Sequence, residues 1–109
     1  MTTPVDPPST EKFVVAIDPD LEDIVPGFLE NRRHDVIALQ AAIHSDDFKT
    51  ITILGHRMKG DGGGYGFEAI STIGAALEQA AARQDRPSIK RLTTELEEFL
   101  GTVKVVYRR

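Results

Sequence analysis

The chain has 109 residues, 40% of them hydrophobic and 28% charged, with a formal charge of −4 and no cysteine. That is one domain's length, enough to bury roughly two-thirds of the unfolded surface. The absence of cysteine excludes disulfides and thiolate metal sites, and the negative balance argues against a general nucleic-acid binder. The longest purely apolar run, Phe13 to Ile17, falls far short of the roughly 18 residues that span a bilayer. The N-terminus also lacks an apolar signal region. A cytoplasmic protein that binds neither nucleic acid nor membrane is expected.

Residues 1–12 carry Pro4, Pro7 and Pro8 among Thr, Ser and Asp, which predicts a mobile tail. Phe13–Ile17 favours an extended strand. One strand without a partner makes no sheet, so residues 1–17 are expected to form a flexible or extended tail lying against a body that begins at residue 18. Asp18 offers a helix N-cap and Pro19 a first helical position.

From there the pattern is helical to the end. Leu21, Ile24, Val25, Phe28 and Leu29, then Val36, Leu39 and Ile43, recur at spacings of three and four. Pro26 must break that stretch. The expectation is a short helix near 19–25 and a longer one from about 26 to 44. Ser45-Asp46-Asp47 reads as a turn whose acids suit the next helix N-terminus. Phe48, Ile51, Gly55, Met58 and Gly62 form a second stripe, and Phe67, Ile70, Ile73 or Gly74, Leu77 and Ala81 a third. A fourth begins after Pro87 with Ile89, Leu92, Leu96, Phe99 or Leu100, and Val103. Four amphipathic helices joined by short turns fold most economically as an all-α up-down bundle, here with a short extra N-terminal helix capping one end. Gly62-Gly63-Gly64, each costing a helix about 1 kcal/mol relative to alanine, are expected to end the second helix within a turn or two of His56. They would then let the following hairpin bring Gly66 and Phe67 close to it.

The stretch Gly55 to Gly66, GHRMKGDGGGYG, carries the candidate chemistry. At about 100° per residue, His56, Lys59 and Gly60 share one side of a helix while Met58 faces the opposite way. A histidine that carries a phosphoryl group must be exposed. It must also be largely neutral at pH 7, as an imidazole titrating near about 6.5 allows. Positive charge nearby must offset the roughly −2 of the phosphoryl group. Lys59 supplies a point charge one turn on, and Gly60 leaves a hollow where a side chain would crowd that group. Gly66 would leave room in the same way from the neighbouring element. The alternative is a polar surface histidine at a helix end. His34 and His44 read that way, on a solvated face and at a helix C-terminus.

The segment Leu54 to Arg83, LGHRMKGDGGGYGFEAISTIGAALEQAAAR, resembles the core signature of the histidine phosphotransfer (HPt) domain family. The matching positions are His56, Met58, Lys59-Gly60 and Gly66, then Ile70, Ile73 and Leu77-Glu78 of the following helix. With the flanking helices the resemblance covers roughly residues 18–104. It implies a phosphorelay carrier in which His56 accepts a phosphoryl group from a receiver-domain aspartate and passes it to another receiver, or returns it. It also implies that Lys59 supports that group and Gly60 makes room for it. Two features depart from the family pattern. Asp61 adds negative charge just after Lys59-Gly60, where it would weaken phosphoryl retention or orient a water or the ring. The triple glycine puts helix length past the site in doubt.

The implied partners are receiver domains of response regulators or hybrid kinases. Gly63, Gly64 and Tyr65 are expected to contribute to docking. No cofactor is expected on this chain, Mg²⁺ being held by the receiver. No nucleotide loop or kinase signature is present, so autophosphorylation is not expected. The chain is expected to act as a free-standing monomer. The rival reading is a helical adaptor with an inert His56. Metal binding fails because His34, His44 and His56 lack i, i+4 pairing. Glu78, Glu95, Glu97 and Glu98 are expected to give no close pairing with a base or nucleophile, which leaves hydrolysis unsupported.

Overall fold

A computed structural model describes residues 13–108. Strand β1 (Phe13–Ile17) leads through a single 3-10 turn (Pro19–Leu21) into helices α1 (Val25–His44), α2 (Phe48–Tyr65), α3 (Glu68–Ala82) and α4 (Arg86–Thr102), followed by strand β2 (Val103–Tyr107). Loops of two or three residues join the helices, which makes sequence neighbours antiparallel. α1 packs on α2 and α4, and α3 packs on α2 and α4, so the four helices close into an all-α bundle.

The caps follow local chemistry. Asp47 accepts from the Thr50 N–H and Asp85 from the Ser88 N–H, and both side chains also bind the matching hydroxyls. Pro26 and Pro87 stand in first helical turns, where the missing N–H costs nothing. The predicted stripes form the core. Phe28, Leu39, Ile51, Met58, Phe67, Ile70, Leu77, Ile89, Leu96 and Phe99 are all buried, whereas Ile24 is half exposed.

Several expectations are corrected. No separate N-terminal helix forms; Asp18 caps only the 3-10 turn, accepting from the Asp20 N–H at 2.9 Å. The stretch between Pro19 and Pro26 is too short to repay helix nucleation. Phe13–Ile17 is not an unpaired tail. It pairs in parallel with β2, in register from Phe13 opposite Val103 to Ile17 opposite Tyr107. Ile17 is fully buried, and Phe13 rests on Phe99 with ring centroids 5.1 Å apart. The folded unit therefore includes β1, while the mobility expected of residues 1–12 lies outside the described residues. The helical reading of the C-terminus fails at Val103 because VKVVY is β-branched and aromatic at alternate positions. Finally, α2 runs through all three glycines and stops only at Gly66, whose φ of +87° provides a left-handed C-cap.

Two of the glycines in α2 are required where they stand. A Cβ on Gly62 would stand 2.5 Å from the Ser71 nitrogen, and one on Gly55 would stand 2.7 Å from the Gly74 oxygen. α2 and α3 thus meet backbone to backbone, and this contact is the most extensive in the bundle.

Candidate functional site

His56 lies near the middle of α2 with its side chain 71% exposed. One turn earlier Ile53 is 53% exposed. Helical geometry puts Ile53, His56, Gly60 and Gly63 on neighbouring parts of one surface. A Cβ on Gly60 or Gly64 would meet nothing within 4 Å. Beyond the ring, this face of α2 is therefore bare backbone. Met58 points into the core and is fully buried.

The imidazole is held from α3. Glu78 Oε2 stands 2.9 Å from His56 Nδ1, and Glu78 Oε1 stands 3.7 Å from Lys59 Nζ. One carboxylate thus bridges the histidine and the lysine. An ionised carboxylate only accepts, so the proton of a neutral ring sits on Nδ1 and the lone pair on Nε2. Nε2 makes no hydrogen bond among the described residues. This corrects the expectation that Glu78 pairs with no base. The partnership crosses between helices, and periodicity along one helix cannot reveal it. The only sequence signal was the position of Glu78 in the Leu77-Glu78 pair.

The remaining candidates are more scattered. Gly66 is ten residues beyond His56, about 15 Å along the axis at 1.5 Å per residue. It ends α2 instead of making room beside the ring, and its nearest neighbour is Ile17. Tyr65 stacks on Phe28 with centroids 4.3 Å apart. Gly63, Gly64, Tyr65 and Gly66 line a cleft of about 230 Å³ together with Ile17, Asp18 and Leu21.

Asp61 turns away from the ring to α1. Its carboxylate lies 3.2 Å from Arg32 Nη1. Arg32 is buried, stands over the Phe28 ring and has Nε 2.9 Å from Asp35 Oδ2, without hydrogen-bond alignment. Arg57, beside His56 in sequence, reaches Asp35 at 3.7 Å. Burial pushes the Asp35 carboxyl above the ordinary aspartate range against the pull of Arg32 and Arg57. His34 and His44 are exposed on α1, His34 lying 3.5 Å from Glu30.

An exposed histidine on the second helix of a four-helix bundle, oriented by a carboxylate and flanked by a lysine, matches one kind of domain. The family described as the Hpt domain matches residues 23–104.

The chain belongs to the Hpt domain family.

Its general role is therefore histidine phosphotransfer in two-component signalling, in contact with other proteins of such systems. The match ends at residue 104 and begins at residue 23, so β1 and most of β2 lie outside it. No curated protein and no solved structure matches the chain. Among the described residues no helix is long and apolar enough to cross a membrane, and no group of three His, Cys, Asp or Glu is placed to hold a metal.

Proposed function

We propose that this Hpt domain is a phosphorelay carrier and that His56 is its phosphoacceptor. The observation that carries this reading is the exposed ring bound through Nδ1 to Glu78, which leaves Nε2 with its lone pair and without a partner among the described residues. The donor is the aspartyl phosphate of a receiver domain. Nε2 attacks phosphorus in line, the N–P bond forms, and the P–O bond to the donor aspartate breaks. The receiver's carboxylate departs with the electron pair. The proton stays on Nδ1, so the ring becomes cationic as it is phosphorylated, and Glu78 stabilises that charge. The reverse sequence delivers the group to a second receiver.

Lys59 supplies the charge that phosphoryl oxygens require. Its contact with Glu78 is long and half exposed. Such a pair holds weakly, so the ammonium is available to turn to the phosphoryl group when that arrives. Gly60 leaves open space beside the ring. The divalent cation belongs to the receiver's acidic pocket. Ile53 and the bare backbone at Gly60, Gly63 and Gly64 form the surface on which the receiver settles, while Tyr65, stacked on Phe28, faces the other side of α2. The domain works in the cytoplasm and as a monomer.

The test is to incubate the protein with receivers loaded with labelled aspartyl phosphate. Label is expected on the wild type in acid-labile form and absent from His56→Gln. Label on neither protein with any receiver overturns the proposal and leaves a docking module.

A further inference from the structure

The Glu78–His56 bond depends on how closely two helices approach, and the approach is set by residues that touch neither the ring nor a phosphoryl group. A Cβ on Gly55 would stand 2.7 Å from the Gly74 oxygen and 2.8 Å from the Glu78 nitrogen. A Cβ on Gly74 would stand 2.6 Å from the Lys59 nitrogen and 2.7 Å from the Gly55 oxygen. These neighbours are backbone atoms, which cannot rotate aside. Two of them belong to Lys59 and Glu78 themselves. Just along the contact, the Ser71 hydroxyl donates to the Lys59 carbonyl at 2.7 Å. That bond fixes how far α3 can slide along α2.

We propose that the Gly55–Gly74 crossing, pinned by Ser71, holds the His56 imidazole in the tautomer that leaves Nε2 nucleophilic, so that Gly55, Gly74 and Ser71 are positioning residues for phosphoryl acceptance. The proposal rests on the reading of His56 as phosphoacceptor. Its geometry is simple. An alanine at either glycine brings contacts of 2.6–2.8 Å that must open past 3.0 Å, and to 3.4 Å for ordinary packing. Moving the helices apart by that difference stretches a 2.9 Å bond past the roughly 3.2 Å at which such bonds remain good. Released from Glu78, the ring samples both tautomers and both ring flips. Only a fraction then presents a lone pair in line with an incoming phosphorus.

The experiment uses the full chain with ¹⁵N-labelled histidine. Ring nitrogen shifts report the tautomer, and transfer from a receiver aspartyl phosphate reports acceptance. Wild type is expected to show His56 protonated at Nδ1, and Glu78→Ala the spectrum of a released ring. Gly55→Ala and Gly74→Ala, judged folded by their amide spectra, are expected to move towards the Glu78→Ala spectrum. Their acceptance should fall about tenfold to a hundredfold, as expected for a misplaced reacting group. Gly27→Ala, whose Cβ enters open space, is expected to leave both readouts unchanged.

Folded glycine variants that keep the wild-type ring shifts overturn the proposal, because Glu78 would then have followed the displaced helix. So would a wild-type ring that is not protonated at Nδ1. If both alanine variants fail to fold, Ser71→Ala decides. It is expected to raise the minor tautomer severalfold, with restoration by Ser71→Thr, and an unchanged ring overturns the proposal. The ring shifts need no phosphoryl donor. A protein that no receiver labels, yet whose tautomer responds as described, would therefore sink the carrier reading, and with it the role in phosphoryl acceptance, while the control of the tautomer by the crossing would stand.

Discussion

Asp61 and Arg32 meet at 3.2 Å across the α1–α2 interface, so the acidic residue that follows Lys59-Gly60 is a structural partner and not part of the His56 surroundings. Asp61→Asn is expected to leave phosphoryl acceptance by His56 within about twofold and to lower stability by about 1 kcal/mol, since Asp61 is partly exposed and Arg32 keeps Asp35. Asp35→Ala is expected to cost about 3 kcal/mol, because a buried guanidinium then loses its nearest carboxylate. Urea titrations compared with transfer rates check both.

Glu78 and Lys59 separate by when they act. Glu78→Ala frees the ring before reaction and is expected to slow acceptance by about 10²-fold, the usual scale for a group that sets protonation at the reacting atom. Lys59→Ala leaves the ring on Glu78. It is expected to slow acceptance by about tenfold and to shift the phosphoryl equilibrium back towards the receiver. Single-turnover transfer with a loaded receiver distinguishes the two, and the ring tautomer should change only in Glu78→Ala.

Acid should weaken the fold through its caps. The Thr50 and Ser88 hydroxyls and N–H groups hold Asp47 and Asp85 below the ordinary aspartate value of 3.8. The native state binds fewer protons at these sites than the unfolded chain. Their contribution is therefore complete above about pH 4 and lost as pH falls through the lowered values. Asp35 has the opposite sign. Its raised value means that the native state keeps the proton longer, so its contribution declines as pH rises through that value. The double variant Asp47→Asn, Asp85→Asn keeps neutral caps and is expected to flatten the acid limb of a urea midpoint–pH curve. Asp35→Asn is expected to gain on wild type as pH rises from 4.

β1 should prove integral to the domain. Ile17 is fully buried and its carbonyl accepts the Arg108 N–H at 3.1 Å. Ile17→Ala is expected to cost about 3 kcal/mol in chemical denaturation. Val14→Ala, at an exposed site on the same strand, should change stability by less than about 0.5 kcal/mol.

The amino-acid sequence by itself determined the four helices, because apolar residues at spacings of three and four, prolines at helix starts and aspartates at caps are local signals that all agree. It also placed His56, Lys59 and Gly60 on one face, since that follows from helical geometry alone. Only the tertiary structure decided what those residues touch. The Glu78 bridge, the turn of Asp61 to Arg32, the passage of α2 through its glycines and the pairing of β1 with β2 all join residues on different elements. Spacing along a single helix cannot encode such pairings. They arise when glycines let two backbones approach, and when strands that are unstable alone pair with each other beside the bundle.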